Sequence, residues 1–102
     1  MAENGEERKR VLVVEDSPTQ AMHLQSLLER EGLKVVLARD GAEGLRMAQE
    51  MHPDLVILDL QMPEMDGLQV CRNLKGAHET SGIPVILFTA HGEHETIVLG
   101  LQ

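Results

Sequence analysis

Four residues with chemistry to offer stand where a short aliphatic run ends. Glu15 and Asp16 follow Val11 to Val14, Asp59 follows Leu55 to Leu58, and Thr89 follows Val85 to Phe88. Taken singly, Asp16 and Thr89 read as caps of a following helix, a common duty for Asp and Thr. Asp59 is different. It is followed by Leu60-Gln61-Met62-Pro63, which is no helix start, so it has no capping duty. Taken together the three carboxylates are costly neighbours. Two held about 4 Å apart repel by about 4 kcal/mol at an effective dielectric of 20. A cation removes that cost, and an all-oxygen donor set calls for a hard divalent ion. Magnesium (Mg2+) suits it, because it takes one or two carboxylates, keeps several waters and leaves room for a substrate phosphate.

Such a cluster forms only if the ends of several strands meet, and the hydrophobic pattern supplies the strands. Val11 to Val14 is apolar without alternation, as expected of a strand buried on both faces. Ser17-Pro18-Thr19-Gln20 opens a helix, with Ser17 as cap, Pro18 at the first helical position and Gln20 completing a capping box. Ala21, Leu24, Leu27 and Leu28 give that helix an apolar face, and Gly32 ends it. Val35 to Ala38 is a second strand. Asp40 caps a second helix with Glu43 three residues on, and Pro53 stops it. Leu55 to Leu58 is the third strand, Asp66-Gly67 opens a third helix, and Lys75 to Gly82 is a polar loop. Val85 to Phe88 is the fourth strand, and Glu93 to Leu99 is expected to begin a fourth helix. The order βαβαβαβα implies an α/β fold with a parallel sheet between helices, either a doubly wound open sheet or a half barrel. In an open sheet, ligands bind beyond the carboxyl ends of the strands, where the four residues fall.

The chain has 102 residues, enough for one domain. Residues 1–9 are expected to be a frayed polar tail and 10–102 the folded domain. The formal net charge is -8, a field that opposes direct nucleic-acid binding. Phe88 is the single aromatic residue, so no stacking platform for bases exists. No apolar run approaches the ~20 residues of a membrane helix, and no signal-peptide core follows the amino terminus. One cysteine, Cys71, precludes an internal disulfide and fits a reducing compartment. A cytoplasmic location is expected. Cys71, Met62 and Met65 read as packing residues, and His91 with His94 lacks the further ligands of a zinc site.

The segments VLVVEDSPTQ, PDLVILDLQMPEMDG and IPVILFTA together resemble the receiver domain of bacterial two-component response regulators. The resemblance runs from Val11 to the end of the chain. It implies the flavodoxin-like doubly wound sheet, strand order 2-1-3-4-5, in place of the half barrel. It implies that Asp59 is the phosphoacceptor for a histidine kinase or histidine phosphotransfer domain. It implies that Glu15, Asp16, Asp59 and the backbone carbonyl of Gln61 hold magnesium, and that Thr89 contacts the phosphoryl oxygens. Gln61 and His91 match positions that tune loss of the phosphoryl group. Such a module assists its own phosphorylation and is not a turnover enzyme.

The sequence departs from the family at its carboxyl end. No counterpart appears for the fifth strand, the fifth helix, the lysine after that strand or its aromatic switch residue. A longer natural protein is the expected explanation, with the domain here cut after the fourth strand–helix unit. Without a fifth strand, Val85 to Phe88 would be an apolar open edge, and a homodimer through that edge is expected. Two rival functions stand beside the phosphoacceptor. One is a degenerate receiver that docks or dimerises without phosphorylation. The other is a magnesium-dependent aspartyl-phosphate hydrolase, for which no second acidic loop follows Asp59.

Overall fold

A computed structural model of the chain describes residues 8–62, 66–91 and 95–101, and side chains as far as Phe88. The expected tail lies largely outside the described residues; its last two, Arg8 and Lys9, are exposed. The elements run β1 (Arg10–Val14), α1 (Pro18–Arg30), β2 (Lys34–Ala38), α2 (Gly41–Met51), β3 (Leu55–Asp59), α3 (Gly67–Gly76), β4 (Val85–His91) and β5 (Glu95–Leu101). They form one sheet in the order β2-β1-β3-β4-β5. The first four strands are parallel neighbours.

Strands of unbroken aliphatic residues need cover on both faces, and alternate side chains go to opposite sides. Leu12, Val14, Val56, Leu58, Val85 and Leu87 point to one face, where they pack with Ala48, Val70, Cys71 and Leu74 of α2 and α3. Val11, Val13, Ile57 and Phe88 point to the other, packed with Leu24 and Leu28 of α1. Gly44 lets α2 lie close to the sheet, since a Cβ there would stand 2.8 Å from Val14 Cγ2.

The helix boundaries follow the expected chemistry. The Ser17 hydroxyl accepts from the Gln20 N–H at 3.3 Å, Asp40 Oδ1 from Glu43 at 2.8 Å and Asp66 Oδ1 from Gln69 at 2.9 Å. Gly32, at φ +88°, ends α1: its N–H reaches Glu29 O at 3.0 Å and the Leu33 N–H reaches Leu28 O at 3.2 Å. At the end of α2 the left-handed position is taken by His52, at φ 48°, just before Pro53. The loop after α3 is more ordered than its polarity suggests. Thr80 is fully buried and its hydroxyl donates to Leu74 O at 2.6 Å. Lys75 Nζ donates to Ile83 O at 2.7 Å.

One expectation is overturned. Glu95 to Leu99, expected within a fourth helix, belongs instead to the strand β5 (Glu95–Leu101), antiparallel to β4. Phe88 pairs with Val98, and Val85 with Leu101. The physical reason has two parts. Thr96-Ile97-Val98 is β-branched and favours an extended backbone. An antiparallel return also needs only a short connection and satisfies the ladder groups of β4, which are costly when unpaired. The sheet is therefore mixed, with β5 standing where the fourth helix was expected. β4 lies between β3 and β5, so the open β4 edge behind the expected homodimer is absent. Residues 93 and 94 of the expected helix lie outside the described residues.

Candidate functional site

Strand register brings the carboxylates together. Val14 of β1 pairs with Leu58 of β3, so the next residues along, Glu15 and Asp59, emerge side by side at the carboxyl ends. The Glu15 N–H continues the ladder to Ala38 O of β2 at 3.0 Å. Asp16 follows on the turn into α1. One carboxylate oxygen from each of Glu15, Asp16 and Asp59 lies within 4.8 Å of the other two. Glu15 is 2% exposed and Asp59 7%, whereas Asp16 faces solvent.

The surroundings do little to neutralise this cluster. Among the described residues the ion pairs are Arg39–Glu43, Arg46–Glu43 and Arg46–Glu50, none of which reaches it. Glu15 Oε2 accepts the Ser17 N–H at 3.0 Å, but Oε1 is buried without a hydrogen-bond partner. Burial pushes the Glu15 carboxyl up to about 8; the Ser17 N–H opposes that rise, and the adjacent Asp59 and Asp16 add to it. An orphaned buried carboxylate oxygen beside two more carboxylates fits a hard, oxygen-seeking divalent ion such as magnesium. Glu15, Asp16 and Asp59 would hold it.

The loop behind Asp59 is pinned from three directions. Asp59 Oδ1 accepts the Gln61 N–H at 3.0 Å, which orients the carboxylate. The Leu60 N–H donates to Phe88 O of β4 at 2.7 Å, and Leu60 O accepts the Gly67 N–H of α3 at 3.1 Å. Gln61 itself is exposed. Thr89 follows Phe88, the β4 partner of Asp59, so its backbone stands one residue beyond the acceptor along the sheet. His91 is the last residue of β4. The side chains of Thr89 and His91, and all of Pro63 to Met65, lie outside the described residues.

One contributor escapes a reading by motif. The Ser17 N–H holds Glu15, a role invisible in a residue whose side chain already signals a cap. Gly67, read from the sequence as letting the chain turn closely after the acceptor loop, does close against the end of β3. A groove of about 420 Å3 opens beside the carboxylates, lined by Asp16, Pro18, Met22, Leu37 and Arg39 among others.

The comparisons with known proteins agree with this geometry. Residues 11–102 match the family model of the response regulator receiver domain. The chain is 41% identical over 95 residues to the DNA-binding response regulator MtrA of Mycolicibacterium smegmatis, covering 93% of this chain and 40% of that protein. It is 40% identical over 91 residues to protein PilH of Pseudomonas aeruginosa, covering 89% of this chain and 75% of that one. The chain thus spans about two-fifths of the length of the MtrA relatives it matches. A signal receiver domain of a signal transduction histidine kinase from Syntrophus aciditrophicus superposes with TM-score 0.77 at 46% identity, over 84% of this chain and 65% of that one. A putative response regulator from Chloroflexus aurantiacus superposes with TM-score 0.80 at 30% identity, over 86% and 72%. In the four parallel strands, the flanking helices and the acidic ends of β1 and β3, as in sequence, this chain belongs to the response regulator receiver domain family.

Proposed function

We propose that this receiver domain is a phosphoacceptor switch, taking a phosphoryl group onto Asp59 from a phosphohistidine on a histidine kinase or phosphotransfer domain. The observation that carries the reading is the meeting of Glu15, Asp16 and Asp59 at the ends of β1 and β3, which no ion pair among the described residues reaches. In the transfer, an Asp59 carboxylate oxygen attacks phosphorus, an O–P bond forms and the N–P bond of the donor breaks. The leaving imidazole keeps the electron pair and takes up a proton. Carboxylates are established nucleophiles for such acyl phosphates.

The residues divide the work. The Gln61 N–H holds Asp59 Oδ1 and so fixes the plane of the attacking group. Glu15, Asp16 and Asp59, with the carbonyl of Gln61, would hold magnesium, which when bound would supply charge neutralisation to the phosphoryl group. Thr89 contacts the oxygens of the arriving phosphoryl group, and Gln61 and His91 tune the later loss of that group to water. The domain does not turn over a substrate, and it works in the cytoplasm, where phosphodonor kinases present their histidines. No described helix is long and apolar enough to cross a membrane.

The test is labelling with a small phosphodonor. Acetyl phosphate with magnesium should add one phosphoryl group by intact mass, and Asp59→Asn should abolish it. Labelling that persists in Asp59→Asn would refute the assignment. No labelling in the native protein would favour the degenerate docking module.

A further inference from the structure

We infer that Gly67 is a positioning residue for the acceptor: the bare Cα at the start of α3 is the seat on which the Asp59–Leu60 backbone rests. The proposal deepens the phosphoacceptor reading and rests on it for its kinetic consequence. Its structural basis is independent. A Cβ built on Gly67 would stand 2.5 Å from Asp59 O, 2.8 Å from Leu60 Cα and 3.0 Å from Asp59 C. All three neighbours are backbone atoms, so no side-chain rotation can yield. Gly67 is a helical residue without a positive φ. Glycine is therefore needed here for space and not for backbone conformation.

The consequence falls on the carboxylate cluster. Leu60 is tied at its N–H to Phe88 O and at its carbonyl to the Gly67 N–H. Its peptide is a bridge between β4 and the first turn of α3. Adding a methyl at Gly67 must push the Asp59 carbonyl by at least half an ångström to reach even a tight contact. That shift is delivered to the residue whose side chain must meet Glu15 and Asp16. Misplacement of a reacting group by about 1 Å can cost about a hundredfold in rate.

Two other glycines make the controls. Gly44 also touches β1, but its added Cβ would meet the Val14 side chain. Gly76 lies at the far end of the same helix with nothing within 4 Å. The experiment compares Gly67→Ala, Gly44→Ala and Gly76→Ala by two readouts. One is the magnesium concentration at the midpoint of the thermal shift. The other is the rate of acetyl phosphate labelling at Asp59. Gly67→Ala should raise the midpoint roughly tenfold, as changes behind metal ligands do. It should slow labelling by about ten- to a hundredfold. Gly44→Ala and Gly76→Ala should leave both unchanged, whatever they do to the melting temperature. If Gly67→Ala folds poorly, adding Gly76→Ala to it supplies further helix propensity in α3 without restoring the seat. A double variant that regains the native midpoint would overturn the proposal, because stability alone would then explain the loss. Native values in Gly67→Ala, or equal losses in Gly44→Ala, would overturn it too. A native protein that binds magnesium but takes no label would refute the phosphoacceptor reading and leave the midpoint to decide the positioning role. A native protein that binds no magnesium would overturn the positioning role as well.

Discussion

Glu15→Gln should make the metal-free domain more stable at pH 8 and deaf to magnesium. The reason lies in where the carboxylate sits. Glu15 is 2% exposed, its Oε1 has no hydrogen-bond partner, and burial raises its carboxyl from 4.5 to about 8. A raised folded pKa means that the native state holds a proton the unfolded chain has released. Stability from this group is fully present below about 4.5 and is lost as pH rises through about 8. One proton of linkage changes stability by about 1.4 kcal/mol per pH unit, so the loss accumulates to a few kcal/mol across the window. Between pH 6 and 8 an exposed carboxylate is already ionised in both states, and comparison with Glu15→Gln cancels every group the two proteins share. The amide keeps the shape of the side chain without the charge. In a domain of this size ~1 kcal/mol moves the melting temperature by about 4–8 °C. With chelator, the native protein should therefore melt several degrees lower at pH 8 than at pH 6, and Glu15→Gln should lack that fall. Magnesium competes with the same proton. Its midpoint in the native protein should drop with rising pH, by up to about tenfold per unit, and flatten above pH 8. A hundredfold excess of metal over its dissociation constant should restore about 2.7 kcal/mol. A chelated melt that is flat from pH 6 to 8, or a Glu15→Gln protein that melts lower than the native one at pH 8, would refute the reasoning.

Two further changes probe the frame around the site. Thr80→Val strands the buried Leu74 carbonyl that the hydroxyl now satisfies at 2.6 Å; a loss of about 1–3 kcal/mol in urea unfolding is expected with the magnesium midpoint unmoved. Asp40→Ala removes the acceptor of the Glu43 N–H and should cost about 1 kcal/mol, read as a melting temperature about 4–8 °C lower.

Much of this protein is legible in one dimension because its signals are local. The caps Ser17, Asp40 and Asp66 compete for backbone donors three residues away, and all three act where their spacing places them. The aliphatic runs of β1 to β4 carry no alternation because both faces are covered, so these four strands can be placed along the chain directly. The acidic ends of the first and third runs then follow, since a strand's carboxyl end is a position in sequence as well as in space. The expected meeting of Glu15, Asp16 and Asp59 came from that rule, and the motifs VLVVEDSPTQ and PDLVILDLQMPEMDG named the family.

What the tertiary structure decided are matters of neighbours distant in sequence. Whether Glu95 to Leu101 becomes helix or strand depends on who pairs with β4. Local pattern cannot express that competition, and the ladder groups of β4 settled it for strand. Thr80 reads as one polar residue in a polar loop until Leu74 O turns out to lie beneath it. In sequence Gly67 only marks a close turn after the acceptor loop, yet the absence of a positive φ and the Asp59 carbonyl 2.5 Å from its absent Cβ make it a matter of volume. Glu15 and Asp16 are adjacent acids in sequence, and only packing buries one and leaves the other in water. Residue types and spacing determine which groups can do chemistry. Burial and close approach, which depend on the whole chain at once, set the charge state and the position in which those groups do it.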